Sequence, residues 1–173
     1  MNGVVLVLCT VLPAALVLLA AVVILQRQSG AVERILKQEW ALEAKRQTLP
    51  VRLQAYERMT LLMERISPEA LLMRTSPGEA NSAQYKQVLL EAISAEWNHN
   101  LSQQIYLSQD MWNAIRTARG QVVELITACA EHVNPDAPAS ELTRTILAAL
   151  IELDTHPTSL ALAMLRAGAF QLF

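Results

Sequence analysis

The hydropathy pattern begins with an apolar run at residues 4–25, interrupted only by Thr10 and Pro13. The run contains 22 residues, none of them charged, and fifteen are Leu, Val or Ile. As a helix rising about 1.5 Å per residue it reaches roughly 33 Å, enough to cross the roughly 30 Å hydrocarbon core of a bilayer. A cleaved signal peptide would have a basic start and a shorter apolar region, but only Met1, Asn2 and Gly3 precede this run. It therefore predicts an uncleaved transmembrane anchor, residues 1–25.

Beyond the apolar run, hydrophobic positions recur every three to four residues, the period of an amphipathic helix. The pattern predicts helices over residues 31–48, 51–66 and 69–74. Pro50 is expected to break the chain between the first two, and Ser67 followed by Pro68 is a typical helix start. Apolar residues also recur seven positions apart, as in a coiled coil, so homodimerisation through a stalk at residues 31–66 is kept as an alternative. The companion heptad positions are only partly apolar. Residues 26–74 thus form the predicted membrane-proximal region.

Residues 83–173 predict a distal helical bundle, beyond a loop at residues 75–82. The helical period recurs over residues 84–97, 109–133, 141–153 and 158–169. Gly120 is expected to mark a close helix contact, and the run at residues 146–151, apolar nearly all round, predicts a central helix. Residues 98–108 alternate between apolar and polar, which leaves a loop, a short strand or a broken helix open. Because no second strand is available to pair with this segment, the predicted fold class is all-α.

Charge is distributed unevenly around a net value of −2. Residues 27–65 carry eight basic and five acidic side chains, whereas residues from 67 onward carry six basic and eleven acidic. The negative total argues against a general nucleic-acid partner, while the basic region beside the anchor suits anionic lipid headgroups. Lys and Arg flank the anchor on its C-terminal side only. The positive-inside rule then predicts an N-terminus outside and a cytosolic C-terminal domain.

Candidate catalytic chemistry is sparse. Glu96 and His99 have the Glu-x-x-His spacing of di-iron bundles, but such a centre needs a second copy of the motif. A metal-dependent enzyme using these two residues is therefore kept only as an alternative. Cys129 and His132 lack two further zinc ligands, so a buried thiol beside a helix-end imidazole is the preferred interpretation. Nucleophile-elbow, phosphate-loop and dinucleotide motifs are absent from the sequence. No catalytic residue, cofactor or metal site is predicted.

The segment at residues 96–106, EWNHNLSQQIY, is unusual in its density of amides and aromatics. Such side chains suit protein recognition through hydrogen bonds and aromatic contact area. The segment predicts an interaction surface, with a polar connection between helices as the alternative. The residues expected to contribute are Trp97, Asn98, His99, Gln103, Gln104, Tyr106 and Trp112. The apolar tail, residues 165–173, is a second candidate surface.

Three blocks of the chain resemble a family of small anchored helical proteins from Bacteroidota: the anchor, LPVRLQAYER at residues 49–58, and residues 96–106 followed by Trp112. The resemblance covers roughly residues 1–130 and includes no catalytic motif. It implies an anchored topology and a location in the bacterial inner membrane. The combined prediction is a single-pass, non-enzymatic interaction or scaffold module facing the cytosol. Its expected partners are the bilayer, a protein not identified by sequence and, through the stalk, a second copy.

Overall fold

The protein is described by a computed structural model that covers the backbone of residues 3–172 and the side chains of residues 13–24, 37–40 and 42–172. Its helices are α1 (Gly3–Arg65), α2 (Pro68–Arg74), α3 (Ser82–Asn100), α4 (Gln109–Glu131), α5 (Ala139–Glu152) and α6 (Ser159–Phe170). A 3₁₀-helix, η1 (Leu101–Tyr106), lies between α3 and α4. No strand occurs within residues 3–172, and the all-α prediction is confirmed.

Helix α1 continues through Pro50, so the predicted break at this residue is wrong. Proline lacks a backbone N–H, but its φ of about −65° is helical and only one helix hydrogen bond is lost. Strong helix formers flank it, among them Ala44 and Leu49. The Thr48 hydroxyl donates to the Ala44 carbonyl at 2.9 Å, so this polar side chain is satisfied within the helix.

The chain divides into two compact units, Met1–Thr48 and Leu49–Phe173. The first unit is the part of α1 up to residue 48, and its side chains at residues 16–19 are between 62% and 70% exposed. The predicted anchor, residues 4–25, lies partly outside the described side chains. Among the side chains that are described, no helix has a stretch both long and apolar enough to cross a bilayer.

The second unit is a helical bundle in which α4 contacts α3, α5 and α6. The predicted stripe of α4 is confirmed, because its buried residues include Met111, Ile115, Ala118, Val122, Ile126 and Cys129. The end of α1 adds Tyr56, Met59 and Met63 to the same core, and Ile66, directly after the helix, continues their three-and-four spacing. Burial of a large apolar side chain stabilises a fold by about 1.5–3 kcal/mol, so these stripes hold the bundle together.

Helix α5 covers the core with one face only, and the prediction of a central helix is wrong. Ile146 is fully buried, but Leu147 is 42% exposed and Ile151 is 86% exposed. The helix also begins at Ala139, two residues earlier than expected, and Pro138 precedes its first turn. The apolar run at residues 146–151 therefore contributes exposed apolar surface at the end of α5.

Close helix packing occurs at Gly168, and the prediction for Gly120 is wrong. A Cβ at Gly120 would have no neighbour within 4 Å. A Cβ at Gly168 would lie 2.5 Å from Met111 Cε and 2.7 Å from Tyr56 Cε1. Helix α6 therefore approaches α1 and α4 more closely than a residue with a side chain permits.

Local capping chemistry fixes three of the helix starts. Ser67, as predicted, and Ser108 each accept a hydrogen bond from the backbone N–H three residues further on. Helix α3 begins earlier than expected, at Ser82. The reason is a capping box, in which Asn81 accepts from the N–H of Gln84 at 2.9 Å and the Gln84 side chain accepts from the N–H of Asn81 at 3.1 Å.

Candidate functional site

A groove of about 610 Å³ runs between the last turns of α1 and the last turns of α3. Its lining residues on α1 recur at spacings of three, four and seven, which places them on one helix face. The full lining is Arg58, Leu61, Leu62, Arg65, Ala95, Glu96, His99 and Asn100. It carries two arginines and one carboxylate, and we name it the basic groove.

Glu96 is held between two arginines at one side of the basic groove. Arg65 Nε donates to Glu96 Oε1 at 2.8 Å, Arg65 Nη2 contacts the same oxygen, and Arg74 Nη1 lies 3.3 Å from it. Arg65 ends α1, Arg74 ends α2 and Glu96 lies on α3, so one carboxylate oxygen connects three helices. The Glu96 side chain is only 16% exposed, whereas that of Arg65 is 46% exposed. Arg65 is therefore fixed in place and still accessible to a ligand.

The basic groove keeps positive charge that no carboxylate of the described chain neutralises. Arg58 is exposed and forms no ion pair with any side chain in the described ranges. His99 is exposed as well. Together Arg58, Arg65 and the adjoining Arg74 outnumber Glu96, although the whole chain has a net charge of −2. A concave basic surface on an acidic chain attracts anionic groups.

The stack of Trp97 on Trp112 is a structural support behind the end of α3. The ring centroids are 4.8 Å apart with an interplanar angle of 29°, and the Arg119 guanidinium carbon lies 5.0 Å from the Trp97 centroid. Trp112 is 9% exposed and Trp97 is half-buried. Aromatic and cation–π contacts of this kind each contribute about 0.5–1.5 kcal/mol. The two rings therefore join α3 to α4 and offer little surface to a partner.

The segment after α3 is a broken helix, so one of the three open alternatives for residues 98–108 is now established. Asn100 Nδ2 donates to the Glu96 carbonyl at 2.9 Å at the end of α3, and η1 follows directly. A 3₁₀-helix places residues three apart in line, and here it leaves Leu101 41% and Ile105 72% exposed. The alternation of apolar and polar residues in this segment therefore belongs to a 3₁₀-helix and not to a strand.

The candidate interaction residues divide by exposure. Asn98, His99 and Gln104 are exposed, whereas Gln103 and Tyr106 are half-buried, as Trp97 is. Of the seven, only His99 lines the basic groove. Sequence reasoning missed the arginines on the opposite wall, Arg58 and Arg65. Their spacing of seven residues beside the buried stripe of α1 is the signal that could have found them.

Metal chemistry receives no support from the described side chains. Among them, no group of three or more His, Cys, Asp or Glu side chains lies close enough to hold an ion. Glu96 Oε1 is instead engaged by two guanidinium groups, those of Arg65 and Arg74. The buried-thiol interpretation of Cys129 is confirmed. Its Sγ lies 3.9 Å from the Thr145 carbonyl, and burial raises the pKa of the thiol.

A second groove, of about 380 Å³, lies between α4 and the connection from α5 to α6. Leu153 and Leu160 on its walls are 43% and 65% exposed. Its imidazole is engaged within the fold, since His156 Nε2 lies 2.8 Å from Glu69 Oε2. None of the seven candidate interaction residues lines this groove, and the basic groove is therefore the better candidate site.

Comparison with protein-family models gives a match to a family of unknown function (DUF7935) over residues 2–172. The match is longer than the residues 1–130 of the expected resemblance, and neither a bacterial source nor a membrane anchor comes with it. No curated protein and no solved structure matches the chain. Because the family model spans nearly the whole sequence, this chain belongs to DUF7935, a family of unknown function.

Proposed function

We propose that this protein is a membrane-tethered, non-enzymatic interaction module that binds a protein partner through η1 and the basic groove. One observation carries the proposal: exposed apolar side chains lie beside accessible arginine and amide groups at this end of the bundle. In the basic groove, Leu61 is 57% exposed beside Arg58, which forms no ion pair within the described ranges. The 3₁₀-helix η1 follows Asn100 of the groove directly and leaves Gln104 exposed and Ile105 72% exposed. Arginine and apolar anchors surrounded by polar groups are typical of protein–protein interfaces.

The tether in this proposal is the apolar run at residues 4–25, in the inner membrane of a bacterium. The support is its length, its lack of charge and the exposure of its described side chains, which a bilayer would cover. Basic residues such as Lys37 and Lys45 follow the run, which favours a cytosolic bundle. Tethering would raise the effective concentration of the module toward partners at the same membrane.

The topology is tested by protease treatment of intact cells that carry the full chain with a C-terminal epitope. We expect the epitope to be protected until the membrane is permeabilised. Digestion from outside would reverse the proposed orientation, and recovery of the chain in the soluble fraction after a salt wash would remove the tether.

The interaction is tested by placing a photo-reactive amino acid at Ile105 of the full chain and irradiating living cells. A cross-linked protein should be recovered from this position. The matched control is the same amino acid at Leu147 on α5, which is also exposed but lies outside η1 and the basic groove. Equal protein adducts from both positions, or no protein adduct from Ile105, would count against the proposed surface.

A homodimeric stalk is the second candidate function, and of the predicted residues 31–66 it can use only those up to residue 48, because Tyr56, Met59 and Met63 are buried in the bundle core. It is favoured by two exposed apolar side chains in the first unit, Trp40 at 76% and Leu42 at 60% exposure. The test is thiol cross-linking of Leu42→Cys in native membranes, with the wild-type chain as the control for Cys9 and Cys129. A dimer band specific to the variant is expected, and its absence would reject the stalk.

A further inference from the structure

We propose that the basic groove binds an acidic segment of the partner protein, with two carboxylates about 10 Å apart on either side of an apolar side chain. The proposal rests on the proposed function, because it names the chemistry of the partner at that same site. Three features of the groove carry it: the spacing of its arginines, the restraint on one of them, and the apolar surface between them.

The two arginines are spaced along the groove. Arg58 and Arg65 are seven residues apart on α1, which corresponds to about 10.5 Å of helix rise on one face. The same distance separates carboxylates seven residues apart on one face of a helix, whereas residues three apart in an extended chain point to opposite faces. A peptide segment can therefore meet both guanidinium groups at once.

Arg65 cannot move toward Arg58 without losing its ion pair. Its Nε donates to Glu96 Oε1 at 2.8 Å, and the same oxygen is shared with Arg74. Arg58 is not restrained in the same way, so the preference for a peptide rests on the exposed Leu61 between the two arginines, which a phosphate or a lone carboxylate would leave uncovered. This arrangement favours an acidic peptide over a lipid headgroup or a free phosphate.

The surface between the arginines is apolar. Leu61 is 57% exposed, Leu62 below it is buried, and Ala95 completes the opposite wall. An apolar side chain of the partner would cover Leu61 while its neighbouring carboxylates reach Arg58 and Arg65. Charge-assisted hydrogen bonds to arginine are the strong ones in such interfaces, so most specificity should come from the two carboxylates.

The experiment places the photo-reactive amino acid at Leu61 of the full chain in living cells, and mass spectrometry then identifies the attached segment. We expect a protein segment with two Asp or Glu residues that flank an apolar residue at the stated spacing. Arg58→Gln should lower the cross-linking yield about fivefold. The matched control is Arg116→Gln, an exposed arginine on α4 outside the groove, and it should leave the yield unchanged.

Several results would overturn the inference. They are a lipid adduct, a segment without paired carboxylates, equal yields from the two arginine variants, and no adduct at Leu61. Failure of the acidic-segment inference can be distinguished from failure of the proposed function. If Ile105 still cross-links to a protein while Leu61 gives one of these results, the acidic segment is rejected and the interaction module stands. If neither position yields a protein, both proposals fall.

Discussion

Gly168→Ala is expected to destabilise the bundle, even though alanine is ordinarily the better helix former. The new methyl group would lie 2.5 Å from Met111 Cε and 2.7 Å from Tyr56 Cε1. The methionine end can move, but the tyrosine ring is buried and stiff, so α6 must shift. Overpacking of this kind lowers the free energy of unfolding by about 1–3 kcal/mol, and the higher helix propensity of alanine raises it by about 1 kcal/mol. The net loss should be about 1 kcal/mol or slightly more.

The matched control is Gly120→Ala, because a Cβ there meets nothing within 4 Å. This substitution should stabilise the protein by about 0.5–1 kcal/mol through helix propensity alone. For a unit the size of Leu49–Phe173, 1 kcal/mol corresponds to a change in melting temperature of about 4 °C. Thermal unfolding of the full chain in one detergent should therefore move the two variants in opposite directions.

A double-mutant cycle identifies the cause. Met111→Ala removes one of the two clashing groups, so adding it to Gly168→Ala should cost less than the sum of the separate losses. The reasoning is refuted if Gly168→Ala is as stable as the wild type. Strict additivity in the cycle would show that crowding against Met111 is not responsible.

Three further predictions concern local features of the bundle. Asn81→Ala removes the capping box of α3 and should cost about 1 kcal/mol in urea unfolding, with no loss refuting its role. Glu96→Gln removes the carboxylate shared by Arg65 and Arg74 and should cost about 0.5–1 kcal/mol, a loss that should shrink at high salt. Burial raises the pKa of Tyr85 above its ordinary 10.0, so the stability from its neutral form is complete below 10.0 and is lost as pH rises through the raised pKa of the folded state. The unfolding free energy should then fall as pH rises above 10.0, and less steeply in Tyr85→Phe, when the two chains are compared by urea titration.

Features that depend on neighbouring residues in sequence were predictable. The stripe of α4 follows from the three-and-four spacing of Met111, Ile115 and Ala118, because a helix face needs no knowledge of its partner. The caps at Ser67 and Ser108 are equally local, since a side-chain oxygen serves an N–H only three residues away. The all-α class is a consequence of such periods alone.

Features that depend on distant residues were not predictable. Glu96 is 31 residues from Arg65, and nothing in the local sequence distinguishes an ion pair from the carboxylate of a metal motif. Gly168 and Gly120 look alike in sequence, and only the approach of α6 to Tyr56 decides which one is crowded. The half of the basic groove that lies on α1 was missed for the same reason, because its wall forms only when α3 packs against that helix.

The stacked tryptophans give the protein an optical reporter of its own. Two indole rings with centroids 4.8 Å apart share electronic excitation, which produces a paired circular dichroism band absent from isolated tryptophan. The third indole, Trp40, is 76% exposed in the other unit and contributes only the emission of a solvated ring. Separation of α3 from α4 would therefore erase the paired band while leaving the Trp40 emission unchanged.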